Sequence, residues 1–189
     1  MSYKVKPILL DQQEIEAIQQ ELGKESLMGQ SLNALIRDTN NYLVLPIDVP
    51  SHSPAGGYAH NKHTHNGKYI DQAGRLFLIT GDDKYAQFTA DLLAQYADKY
   101  LEMGFHEQKN TNPPGRLFNQ MLNEHVWMLY AGLGFSCISK WLSEEKRQHI
   151  TERLIKPMLE VATVKYHYDC DTIHNHGIWA VAGIAACGA

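Results

Sequence analysis

Positions 174–176 read His-Asn-His, and Trp179 follows within one helical turn. On a helix, Asn175 and Trp179 are four residues apart and His176 and Trp179 three, so amide, imidazole and indole share a face. The run that follows, Ile178 to Cys187, is small and apolar and reads as a buried helix. Polar groups at the mouth of such a helix need partners. The free N–H groups and the dipole of a helix start also favour an anion. Two donors and a flat ring suit a sugar that carries a carboxylate. A satisfied polar cap on a core helix is the competing reading, and this stretch alone leaves both open.

A second set of polar residues lies upstream. Pro113-Pro114-Gly115 is a firm stop, and the spacing after it predicts a helix from Arg116 to Tyr130. Gln120, Asn123, Glu124 and Trp127 fall on one stripe of that helix, while Leu117, Met121, Leu122, Val126 and Leu129 cover much of the rest. The stripe faces either a cleft or internal hydrogen-bond partners. A third cluster is His60, His63 and His65, with Asp71 the nearest carboxylate. His-x2-His-x-His is not a zinc-ligand spacing, so no metal is expected there, and no cofactor motif is present.

The elements that must position these groups are helical. Asp11-Gln-Gln-Glu14 has the spacing of a capping box, followed by Ile15, Ile18 and Leu22, so a first helix is predicted to about Gly23. A second is predicted over Leu27 to Leu43, then a loop from Pro46 to Gly57. The segment from Tyr58 to Asn66 leads into a predicted helix over Tyr69 to Ile79. Asp82 and Ser143 are N-cap candidates for amphipathic helices carrying Phe88, Leu92, Leu93 and Tyr96, and Ile150, Leu154, Met158 and Leu159. Strand-like alternation is nearly absent. Repeated helical hairpins predict an all-α array, a solenoid or a closed toroid.

The chain has 189 residues, 44% of them hydrophobic, enough for one core. Its net charge is −4 with lysine and arginine scattered, so there is no electrostatic footprint for nucleic acid. No segment is long and apolar enough to span a bilayer, and residues 1–10 lack a signal-peptide pattern. Cys137, Cys170 and Cys187 are odd in number and widely spaced, against a disulfide framework. The expected compartment is the cytoplasm, or the periplasm where a signal peptide precedes this sequence. The apolar helix at 178–187 has no closing element after it, which points to a fragment of a longer protein.

Several motifs, taken in order, resemble one family. They are Gly57-Tyr58-Ala59-His60 with His63 and Asn66, Pro114-Gly115-Arg116-Leu117-Phe118, Gln120-Met121-Leu122-Asn123-Glu124, Arg153-Leu154-Ile155-Lys156-Pro157-Met158, and Ile173-His174-Asn175-His176-Gly177-Ile178-Trp179. Together they are similar to the catalytic domain of the exo-acting oligoalginate lyases, polysaccharide lyase family seventeen. The resemblance implies that residues 1–189 are part of an (α/α) toroid, with later toroid helices and a C-terminal β-sandwich domain beyond them. It implies an anionic oligosaccharide substrate, with Asn175 and His176 holding the substrate carboxylate. The family's catalytic tyrosines have no matching positions here, so the chain alone is expected to lack turnover. Homo-oligomer formation is open for the full-length form.

The implied reaction is β-elimination at C5 of a 4-linked uronic acid. Donors at the carboxylate stabilise the charge that develops as the C5 proton leaves. Asn175 and His176 suit that role, His176 with a further option as base for one epimer. Tyr58, His60, His63, Arg116, Gln120, Asn123 and Trp179 are the expected sugar-binding residues. Two other readings compete: a hydrolase on the same scaffold using two of Glu124, Asp169 and Asp171, and an oligosaccharide binder with no chemistry.

Overall fold

A computed structural model of the chain describes residues 8–51, 57–108, 112–171 and 173–188. Residues 1–7, part of the Pro46–Gly57 loop and Thr172 in the approach to the His-Asn-His stretch lie outside the described residues. All regular structure among those described is helical.

Local signals set most of the helix starts. In α1 (Gln12–Gln19) Asp11 accepts from the Glu14 N–H while Glu14 caps the Asp11 N–H in return, a closed capping box. The helix stops short of Gly23, which takes φ 74° where the chain reverses. Ser26 caps α2 (Leu27–Leu43) by accepting from Gly29 N–H, and Asp82 caps α4 (Asp83–Lys99) through Lys84 N–H. Between them α3 (Tyr58–Thr80) is longer than the apolar period predicts and takes in the whole histidine cluster. Gly81 ends it in the left-handed region, φ 70°.

The helix α5 (Met121–Ile138) begins five residues later than expected, because 116–120 are bent back toward its first turn. Ser143 caps α6 (Glu144–Ile150), which runs without a break through a π-helical turn at Thr151–Ile155 into α7 (Lys156–Glu160) and a second π turn at Val161–Lys165. Pro157 has no N–H to give to the preceding turn, and the wide turn ahead of it accommodates that loss. A 3₁₀ turn at His167–Asp171 then leads to α8 (Asn175–Gly188).

The helices form two layers. α5 packs between α3 and α8 in one layer, while α4 and the α6–α7 rod lie against one another in the second. Close approach within the first layer depends on glycine. A Cβ on Gly134 would stand 2.5 Å from the Ile70 carbonyl oxygen, and one on Gly183 2.8 Å from that of His125. The core fills with Ile70, Leu76, Leu92, Leu93, Tyr96, Met128, Leu154 and Met158, all essentially inaccessible. The polar outer ties include Lys146 Nζ to Asp91, 2.9 Å, and His149 Nε2 to Asp98, 2.8 Å. α8 packs chiefly on α5, with smaller contacts to the 3₁₀ turn and to the end of the α6–α7 rod, while Ile178 and Val181, 69% and 52% exposed, face outward. The sequence reads this run as a buried helix, whereas in the structure its outer face is open.

Candidate active site

α8 starts with Asn175 as its first residue, its side chain exposed, and His176 is half-buried behind it. His174 supplies the cap: its Nδ1 accepts from the His176 N–H at 3.0 Å, and its carbonyl accepts from Ile178 N–H at 3.2 Å. The His174 and His176 rings meet edge to face, centroids 4.9 Å apart. Trp179, half-buried, lies one turn further on. An open helix start thus presents an amide and an imidazole together.

The wall opposite is the start of α5. Gln120 occupies the N-cap position of that helix but makes no side-chain cap. Its Nε2 instead stands 3.3 Å from His176 Nε2. Asn123, half-buried, sits in the first turn after it. The stripe inferred from the sequence divides here: Gln120 reaches His176, whereas Glu124 and Trp127 are enclosed, 0% and 2% exposed. For those two the internal-packing reading holds. Glu124 accepts from Tyr100 O–H at 2.8 Å and from the N–H groups of Leu117 at 2.9 Å and Phe118 at 3.4 Å. Burial pushes its carboxyl above the usual range, against the lowering effect of those hydrogen bonds. Enclosed in this way, Glu124 is not placed to act as a hydrolase's acid.

Asp169, in the 3₁₀ turn, is the acidic neighbour. It is 5% exposed, and its carboxyl is raised by burial and drawn down by His176 and His174. Asp171 is exposed.

The expected sugar-lining residues of α3 and the 113–120 loop separate into two groups. Tyr58 is 68% exposed and its hydroxyl donates to Asp48, which raises its pKa. His60 is half-buried, edge-on to Phe118 with centroids 5.1 Å apart, and its Nδ1 has no hydrogen-bond partner among the described residues. His63 belongs to the interior. It is 0% exposed with Nδ1 2.7 Å from the Tyr96 hydroxyl, which also accepts from Asn66 Nδ2 at 2.9 Å. Asn66 in turn accepts from Tyr42 O–H at 2.7 Å and donates to the Asp48 carbonyl at 2.9 Å, tying α2, α3 and α4. His63 is therefore a structural histidine and not a sugar contact, because the face of α3 that carries it is covered by α4.

Arg116 is engaged elsewhere as well: Nη1 donates to the Met103 carbonyl, and the guanidinium lies 4.4 Å from the Phe105 ring centroid and 5.6 Å from that of Tyr100. It braces the 101–105 segment. The histidines of α3 do not converge. His65 is exposed while His63 is enclosed, as the helical rotation between i and i+2 requires. Among the described residues no group of three His, Cys, Asp or Glu is set to hold a metal ion.

One residue that the sequence reading passes over is His125. It is 0% exposed, neither ring nitrogen has a hydrogen-bond partner among the described residues, and burial, with a contribution from His176, lowers its pKa to about 4. It lies inside the apolar pattern of α5, and only the covering of that helix by α8 distinguishes it.

Among the described residues this is an all-α hairpin array with a polar mouth where the starts of α5 and α8 meet. The chain is 35% identical over 182 residues to the exo-oligoalginate lyase of Saccharophagus degradans, a match that covers 96% of this chain and 25% of that protein. It is 38% identical over 143 residues to an alginate lyase of Stenotrophomonas maltophilia, covering 75% of this chain and 19% of that protein. No protein-family model matches the chain. The chain is a relative of the alginate lyases, and it spans a quarter or less of the length of these two proteins.

Proposed function

We propose that the chain forms the carboxylate-holding part of a lyase that cleaves alginate by β-elimination. The observation that carries this reading is the shared mouth: Asn175 open at the start of α8, with His176 behind it and 3.3 Å from Gln120. The names of its two relatives support alginate as the substrate.

In the reaction a base removes the C5 proton. The C5–H electron pair becomes the C4–C5 double bond, the bond from C4 to the glycosidic oxygen breaks, and that oxygen leaves with a proton from an acid. Charge builds on the C5 carboxylate as the proton departs. The Asn175 amide and a His176 N–H donate to it, and the N-terminus of α8 adds its dipole. Trp179 offers a face for the sugar ring. Gln120 and Asn123 line the opposite wall, with Tyr58 and His60 at the start of α3. A hydrolase is the weaker alternative, since Glu124 is enclosed and bound by backbone N–H groups.

The test has two parts. The chain is titrated with oligouronates and with a neutral 4-linked oligosaccharide while the Asn175 side-chain amide and the His176 ring are followed by NMR. A chimera with this chain in place of the matched 182 residues of the Saccharophagus degradans enzyme is assayed for unsaturated, ultraviolet-absorbing product. Shifts with the uronates only, and product from the chimera, are expected. Equal response to the neutral sugar, or a saturated product, rejects the reading.

A further inference from the structure

We infer that Glu124 is a positioning residue for this site, acting through Gln120 on His176; the inference rests on the reading of the mouth as a uronate-carboxylate site. A carboxylate with no exposure, in the first turn of an otherwise apolar helix, requires an explanation. Its partners supply one. Oε2 takes the backbone N–H of Leu117 at 2.9 Å and of Phe118 at 3.4 Å, and Oε1 takes the Tyr100 hydroxyl at 2.8 Å. Leu117 and Phe118 are themselves buried, 1% and 2% exposed, so their N–H groups have no access to water as an alternative partner.

The loop closes around that carboxylate. Gly115 N–H donates to the Phe118 carbonyl at 2.9 Å, His106 N–H to the Gly115 carbonyl at 3.0 Å, and Met121 N–H to the Pro113 carbonyl at 2.7 Å. A Cβ on Gly115 would fall 1.9 Å from Glu124 Oε2, so any larger residue there has to displace the carboxylate. Most helices use the N-cap side chain to order their first turn. In α5 the Glu124 carboxylate reaches back to the N–H groups of Leu117 and Phe118 and fixes the chain that leads into Gln120. The Gln120 side chain makes no cap, and its amide points across the mouth, where Nε2 meets His176 Nε2 at 3.3 Å. The chain of contacts runs Tyr100, Glu124, the 115–120 turn, Gln120, His176.

The relation is tested in the 189-residue chain with Glu124→Ala, Glu124→Gln, Gly115→Ala and Tyr100→Phe, beside Gln120→Ala as the reference. Long-range 1H–15N spectra follow the His176 ring through a pH titration, circular dichroism checks helicity, and calorimetry reads affinity for an oligomannuronate. Glu124→Ala and Gly115→Ala are expected to move the His176 titration toward that of Gln120→Ala and to weaken oligomannuronate binding about tenfold, the equivalent of one positioned hydrogen bond. Glu124→Gln should restore both, because its amide oxygen can take the Leu117 N–H while its NH₂ donates to the Tyr100 oxygen. Tyr100→Phe should give a smaller shift in the same direction. A folded Glu124→Ala or Gly115→Ala chain whose His176 titrates as in the parent overturns the inference, as does a Gln120→Ala chain with unchanged His176. Should Glu124→Ala fail to fold, Gly115→Ala and Tyr100→Phe decide by the same criterion. If His176 responds as described while no variant, nor the parent, binds oligomannuronate, the positioning relation stands and the proposed function falls.

Discussion

Gln120 Nε2 and His176 Nε2 stand 3.3 Å apart although 56 residues of chain separate them. The Gln120 amide N–H can donate to that ring nitrogen only where the nitrogen carries no proton of its own. The two helix starts that make the mouth are thereby joined at one point.

Asn175 is the most direct test of that mouth. In the chimera, Asn175→Ala should lower kcat by about 10²–10³, the loss typical of one donor to a developing oxyanion, with less effect on KM. Asn175→Asp should do worse, since it sets a second carboxylate against that of the substrate. The side chain is exposed, so helicity should not change in either variant. Near-normal turnover in a folded Asn175→Asp protein would leave only the polar-cap role.

His125 predicts an acid-sensitive stability. Its pKa is lowered to about 4 in the folded chain, first by burial and then by His176, against an ordinary value of 6.5. Between those values the unfolded chain binds more protons, so stability is full above pH 6.5 and falls as pH drops toward 4. The total loss is about 3 kcal/mol by linkage. Urea unfolding at a series of pH values should reveal this slope in the parent and a flatter profile in His125→Leu.

Gly134 predicts a packing penalty without any change of charge. A Cβ there would lie 2.5 Å from the Ile70 carbonyl oxygen and 2.6 Å from Ile70 Cγ2, so α3 and α5 must separate. Gly134→Ala should destabilise the chain by about 1–3 kcal/mol. Gly104→Ala is the control: nothing lies within 4 Å of its added Cβ, and its effect on the urea midpoint should be neutral or slightly favourable.

The three thiols should react in a set order. Burial raises Cys137 and Cys187 to about 12, whereas Cys170 is raised less and sits beside the exposed end of the 3₁₀ turn. At mildly alkaline pH, iodoacetamide should label Cys170 first, since the thiolate is the nucleophile. Mass spectrometry of the digested protein reads the order, and early labelling of Cys187 would contradict the packing of α8 on α5.

Short-range chemistry was legible in the sequence. The capping box of Asp11 and Glu14, the caps Asp82 and Ser143, and the bounds of α2 all follow from interactions spanning two to four residues. The amide–imidazole–indole spacing of 175–179 was legible for the same reason, as was the all-helical class, because both are matters of period. What only the tertiary structure decided is which face of each helix is covered and by what. Glu124 bends 116–120 out of the predicted helix because Tyr100, 24 residues away, closes the other side of its carboxylate. His63 leaves the sugar-facing set because Tyr96, 33 residues on, takes its ring nitrogen. Arg116 turns to Met103 and Phe105, and His125 becomes a buried base when α8 covers it. Periodicity tells that a helix has two faces; the identity of the neighbour is a long-range property, and here it separates the residues at the mouth from those that hold the mouth in place.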